Sequence, residues 1–194
     1  MRAAEQDRPD VKKARALWRR EQPAWDAARL VFIDETGLNT KLARLYGRCP
    51  HAARCLGVVP HGHWQSSTFL AALRLDQITA PFLVDGPVDA AAFLVYVQQV
   101  LLPSLQPGDT LILDNLRTHK VQGVAELLAA WEIKLRYLPP YSPDLNPIEM
   151  AFAKLKAHLR RMAARNLQQL VPALARALKT FSAADCQAFF RHAH

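Results

Sequence analysis

The chain has 194 residues, 51% hydrophobic and 22% charged, with a formal net charge of +8; it is long enough for one domain with a full core and too apolar for a disordered chain. No run of 18 apolar residues occurs, which excludes a helical membrane span. A pI near 9.8 favours a polyanionic partner, nucleic acid being the commonest, and the odd count of three cysteines, Cys49, Cys55 and Cys186, argues against a disulfide framework and fits a reducing compartment.

Residues 1–28 carry Lys12, Lys13, Arg15, Arg19 and Arg20 with few large apolar side chains beyond Trp18 and Trp25. They are expected to form a basic helical segment leading into the domain, too short to fold alone. The first eight residues lack the apolar stretch of a signal peptide, so a cytoplasmic, nucleoid-associated location is expected. The run Leu30-Val31-Phe32-Ile33 predicts a buried strand over 29–34, ended by Asp34. A short strand is expected at 43–49, a third at 66–75 and a fourth at 81–84. Pro87-Val88-Asp89 opens a helix with Phe93, Val97, Val100 and Leu101 at helical spacing. After the turn Gln106-Pro107-Gly108-Asp109, residues 110–113 read as a strand ended by Asp114. A helix over 119–131, a strand over 133–137, a proline-rich loop over 139–147, a helix over 146–162 and two shorter helices from about 166 and 182 complete the chain. That order describes an α/β fold with a sheet of mixed direction, antiparallel at first and then built by right-handed crossovers. Ligands in such sheets bind at the carboxyl ends of strands.

Asp34, Asp114 and Glu149 are the candidate site. A carboxylate at the end of a buried strand is unfavourable unless something positive meets it, and three converging carboxylates repel one another unless a divalent cation lies between them. Each also has a purely structural explanation. Asp34-Glu35-Thr36-Gly37 suits a strand-ending turn, and Asp114-Asn115 suits a turn or a cap. Asn146, Pro147 and Glu149 have the spacing of N-cap, first helical residue and capping-box partner.

Taken together, the three acids have 79 and 34 residues between them and accompany specific motifs: Phe32-Ile33-Asp34-Glu35-Thr36, Val59-Pro60-His61-Gly62-His63-Trp64, Phe69-Leu70-Ala71-Ala72-Leu73-Arg74, Gly108-Asp109-Thr110-Leu111-Ile112-Leu113-Asp114-Asn115-Leu116 and Leu138-Pro139-Pro140-Tyr141-Ser142-Pro143-Asp144-Leu145-Asn146-Pro147-Ile148-Glu149, with Phe152-Ala153-Lys154-Leu155-Lys156 after them. Over residues 29–192 the chain resembles the DDE transposases of bacterial insertion sequences in the mariner-like superfamily. The resemblance implies an RNase H-like, retroviral-integrase-like fold, with residues 29–165 as the catalytic domain and 166–194 as helices packed on it. It implies that Asp34, Asp114 and Glu149 bind two divalent ions, Mg²⁺ with Mn²⁺ as a substitute. The activity implied is cleavage of DNA at transposon ends and strand transfer into target DNA, commonly at TA dinucleotides, by at least a dimer on the DNA.

Several further residues are candidates for support. Ile148, Phe152, Leu155, Leu159 and Met162 make a core face of the last long helix. Lys156 and Arg160 follow Glu149 by seven and eleven residues, on the same side, and Lys154, Arg161 and Arg165 add charge. A DNA-backbone stripe and a solvated face both explain them. His119 either orients a phosphate or water near Asp114 or caps the following helix, and Asn115 either positions substrate or shapes the turn. Cys49, Cys55, His61 and His63 match no usual zinc spacing, and in the resemblance His61-Gly62-His63-Trp64 belongs to an early hairpin. Relatives carry an N-terminal helix-turn-helix region that reads the inverted repeats. It is expected here on a separate or frameshift-fused polypeptide. A non-catalytic DNA-binding or regulatory fragment and an RNase H-like nuclease of host function are the alternatives.

Overall fold

The computed structural model describes residues 4–43, 47–56, 66–115 and 123–193. Helix α1 (Pro9–Glu21) lies before the sheet, with Val11 and Trp18 buried. The sheet contains β1 (Leu30–Asn39), β2 (Ser66–Leu73), β3 (Ile78–Asp85), β4 (Thr110–Leu113) and β5 (Lys134–Tyr137), in spatial order β3-β2-β1-β4-β5. The pairs β1/β2 and β2/β3 are antiparallel, and β1/β4 and β4/β5 are parallel. Helix α2 (Ala90–Tyr96) lies between β3 and β4, and α3 (Val124–Ala130) between β4 and β5. Helices α4 (Pro147–Met162), α5 (Leu167–Leu178) and α6 (Ala183–His192) end the fold. This is the mixed α/β sheet that the order of sequence elements predicts.

Helices cover both faces of the sheet, which is why β1 and β4 begin as continuous apolar runs instead of alternating with polar residues. Strand side chains alternate between faces. Leu30, Phe32 and Ile112 therefore join the core under α4, α5 and α6, whereas Val31, Ile33, Leu111 and Leu113 join the core under α2 and α3. Phe152 of α4 meets Phe69 of β2 edge-on at 6.0 Å, and Phe190 of α6 meets Phe32 at 5.3 Å. Local grammar sets the helix starts. Asp89 accepts from Ala92 N at 2.8 Å to cap α2, and Ser182 with Asp185 forms a capping box on α6. Helix α2 continues through a π-helical turn, Val97–Leu101, and a 3-10 turn, Leu102–Ser104. Tyr96 donates its hydroxyl to Ala80 O at 2.9 Å.

Two local expectations change, and a third falls partly outside the described residues. Asp34 does not end its strand, because β1 runs on to Asn39, held by antiparallel pairing from Asp34↔Ala71 to Asn39↔Ser66. The described residues of the expected strand at 43–49, namely 43 and 47–49, are not extended in a ladder. None of them buries an apolar face, so the segment lacks the packing that stabilises a strand. Of the helix expected over 119–131, Val124–Ala130 forms α3, entered from Gly123 in a left-handed conformation, φ 97°; residues 119–122 lie outside the described ones.

Candidate active site

The alternation that builds the core also aims the acids. Asp34 has the parity of Leu30 and Phe32, so it projects from the sheet face covered by α4. Strand β4 pairs with β1 from Leu30↔Thr110 to Phe32↔Ile112. Continuing that register brings Asp114 level with Asp34, at the point where β4 ends and β1 goes on.

Asp34 is buried at 7% exposure. Its Oδ1 accepts from Glu35 N at 2.7 Å, and its Oδ2 accepts from Asn146 Nδ2 at 2.8 Å. Asn146 is the N-cap residue of α4, yet its side chain makes no cap hydrogen bond. The capping box expected of Asn146 and Glu149 is therefore absent. The Asn146 amide instead ties the α4 start to β1 across 112 residues of chain, and its buried Oδ1 has no hydrogen-bond partner among the described residues.

Asp34, Asp114, Asn115, Asn146 and Glu149 line one cleft of about 370 Å³, whose remaining wall is the loop from Leu138 to Pro143. Glu149 is exposed as a residue at the cleft rim. Even so, desolvation by its surroundings pushes its carboxyl pKa up, the Asp114 carboxylate adds to the rise, and Lys156 opposes it. Burial pushes the Lys156 ammonium down, with Arg160 acting in the same sense and Glu149 against it. Glu149, Lys156 and Arg160 thus share one helix face, the two cations each about 20° around the axis from Glu149. Lys154 and Arg161 lie roughly 120–140° away from it. Lys154 is engaged inside the protein, pairing with Asp185 at 2.7 Å and lying 4.9 Å over the Phe181 ring. Arg161 is exposed.

The raised pKa of Glu149 has a consequence for stability. A carboxyl whose folded-state pKa exceeds its ordinary value of 4.5 favours the fold only while protonated, and that contribution is lost as pH rises through the raised value. Glu149→Gln is therefore expected to raise the melting temperature of the metal-free chain at pH 7, with the difference vanishing below pH 4.5. A melting temperature lowered at pH 7 is the contrary result.

The donor set suits a hard divalent cation: carboxylate oxygens, an unpartnered amide oxygen and a glutamate whose charge the fold disfavours. Among the described residues, however, no three His, Cys, Asp or Glu side chains are gathered into a group that could hold a metal ion, so the acids line a shared cleft without closing on its centre. Asn115 is exposed at the cleft. His119, His61 and His63 lie outside the described residues. Cys49 and Cys55 are exposed, and the Cys49 thiol donates to Ala53 O at 3.1 Å. The contacts of Arg15 with the cleft-forming loop had no signal in the sequence, because they join positions more than 120 residues apart.

A family model described as DDE superfamily endonuclease matches residues 29–171, and the chain belongs to that family. Its fold matches that of a pre-cleavage Mos1 transpososome with a TM-score of 0.77 at 16% identity, covering 100% of this chain and 61% of the other. The Mos1 paired-end complex with left transposon end gives 0.75 at 15% identity, covering 100% and 60%. The catalytic domain of Mos1 mariner transposase gives 0.70 at 15% identity, covering 100% and 90%. The fold is thus RNase H-like, that of a transposase catalytic domain, and the chain spans about 60% of the longer transposase chains it matches. No curated protein sequence matches.

Proposed function

We propose that this chain is the catalytic domain of a transposase that cuts DNA at transposon ends and joins them to target DNA. The observation that carries the reading is the single cleft lined by Asp34, Asp114 and Glu149 in a member of the DDE superfamily endonucleases. The three acids would hold two Mg²⁺ ions, with Mn²⁺ as a substitute; Mos1 paired-end complexes are described with Mn and with Mg. Such ions supply charge stabilisation for the attacking and leaving oxygens of an in-line displacement.

The chain's own residues bind and orient. Asn146 holds one Asp34 oxygen, which leaves the carboxylate little rotational freedom. Lys156 and Arg160 lead away from Glu149 on one face and would neutralise DNA phosphates, with Arg161 reaching phosphates farther out. Lys154 would join them only by leaving Asp185. Asn115, and His119 beyond the described residues, would contact substrate beside Asp114. In cleavage, a water oxygen bonds to phosphorus and the bond to the 3′ oxygen breaks, freeing a 3′-hydroxyl. In joining, the oxygen of that hydroxyl gives up its proton and bonds to a target phosphorus, while the bond from that phosphorus to its 3′ oxygen breaks and a target 3′-hydroxyl leaves. Neither step requires a protein nucleophile.

In this reading residues 29–165 form the catalytic core, preceded by the basic helical segment 1–28 and followed by helices over 166–194 that pack on it. Pairing of two ends calls for two copies on DNA. Recognition of the ends would fall to a helix-turn-helix region. The test is strand joining with a pre-cut duplex carrying the terminal repeats that flank the gene. Joining is expected with Mg²⁺ or Mn²⁺ and none in chelator. Joining unaffected by chelator overturns the metal reading, and DNA binding without cleavage or joining favours a regulatory fragment.

A further inference from the structure

We infer that Arg15 of α1 is a positioning residue for the active site, acting through the loop that leads into Asn146 and the first turn of α4, where Glu149 lies; this rests on the reading of the cleft as a metal-dependent site. Arg15 lies between Val11 and Trp18 at helical spacing, on the buried face of α1, where Val11 and Trp18 are 1% and 6% exposed. Its own side chain is only 11% exposed. A guanidinium on an apolar face is unfavourable unless its charge and donors are met. Here they are met by the cleft wall. Arg15 donates to Asp144 Oδ1 at 2.8 Å and Oδ2 at 2.6 Å, in a two-pronged pair, and to Ser142 Oγ at 2.8 Å.

Two more contacts from the same side close the grip. Gln6 donates to Tyr141 O at 2.6 Å, and Arg19 lies 3.5 Å from Asp144. Tyr141 sits in the left-handed region with φ 54°, a conformation unfavourable for a side chain of its size unless its surroundings impose it. From the gripped residues to the site is a short rigid path. The 3-10 turn Pro143–Leu145 runs directly into Asn146 and α4, with Leu145 N bonded to Ser142 O and Asn146 N to Pro143 O, both at 3.1 Å. Asn146 then holds Asp34, and Glu149 stands one helical turn on. Arg15 therefore fixes the place from which α4 starts, and with it the distance of Glu149 from the two strand-borne acids.

The test uses the full chain and two readouts: Mn²⁺ binding followed by calorimetry, and hydrogen exchange of the backbone amides of residues 144–149. Arg15→Ala is expected to weaken Mn²⁺ binding about 10-fold, as loss of a group supporting metal ligands does, and to speed exchange at 144–149 while leaving β4 amides protected. Asp144→Ala is expected to do the same, and the double variant to add little, because both remove one interaction. Arg15→Lys keeps the charge without the planar fork and should fall between. Arg15→Ala that melts earlier but keeps wild-type Mn²⁺ affinity and wild-type exchange at 144–149 reduces Arg15 to a fold-stabilising residue and overturns the inference. Absence of Mn²⁺ binding by the wild-type chain instead overturns the metal reading of the cleft, and the exchange pattern alone then decides whether Arg15 holds the loop.

Discussion

Asp114→Asn is expected to abolish metal-dependent cleavage and joining, by about 10³-fold or more, while the chain stays folded. Asp114 is half-buried at the end of β4 and shares a cleft with Asp34 and Glu149. The amide keeps the shape of the side chain and removes its negative charge. Stabilising the charge that develops in a phosphoryl displacement is worth several kcal/mol when a bound metal supplies it, and each 1.36 kcal/mol is about tenfold in rate. Little of the core depends on this residue, since the buried side chains of β4 are Leu111, Ile112 and Leu113. Single-turnover joining of a pre-cut end measures the rate, and thermal melting of the same samples checks the fold. Joining by Asp114→Asn at more than about a tenth of the wild-type rate sinks the assignment of the three acids.

At the other end of the same strand, Arg74→Ala is expected to destabilise the fold by about 3–5 kcal/mol, the range for breaking a buried ion pair on one side. Asp109 is 0% exposed and immediately precedes β4, and Arg74 is 9% exposed just after β2. Arg74 Nη2 bonds directly to Asp109 Oδ2 and donates to Ser104 O at 3.0 Å. Asp109 Oδ2 also accepts from Gln106 N at 2.8 Å. Among the described residues the other oxygen has no hydrogen-bond partner, and the Arg29 guanidinium lies 3.7 Å from it. Without Arg74 a carboxylate is left in the interior with little to offset its lost hydration. Such a loss is a large share of the roughly 5–15 kcal/mol by which domains are stable. Urea denaturation reads it as a lower midpoint at unchanged slope. A loss below about 1 kcal/mol, the range of exposed ion pairs, is the contrary result.

The two variants act at opposite ends of a four-residue strand, and they differ in how visible they were. The apolar run of β4 and the acid that ends it are local features of sequence, as are the helix starts at Asp89 and Ser182. The ion pair under β4 joins Arg74 to Asp109 across 35 residues; in the sequence Asp109 reads as a turn residue and no more. Asn146 shows the same limit in sharper form. Its spacing to Pro147 and Glu149 satisfies the rule for a helix cap, and that rule concerns only nearby backbone. In the fold, Asp34 offers its amide a charged acceptor, which makes a stronger hydrogen bond than a neutral one, and the side chain leaves the cap for it. Asp34 differs from expectation because strand ends depend on neighbours. The run of apolar residues stops at Ile33, but pairing with β2 carries β1 on to Asn39.

By itself the sequence determined the class of fold and most of the order of its elements, and it singled out the three acids as candidates, because hydrophobic periodicity, caps and a spaced motif are carried by residues close together in the chain. Only the tertiary structure decided that those acids line one cleft, that Asn146 serves Asp34 instead of its own helix, that Lys154 is held by Asp185, and that Arg15 grips the loop leading into the helix that carries Glu149. Each of these depends on pairing between distant segments, where register and packing choose among partners that local sequence leaves equally available.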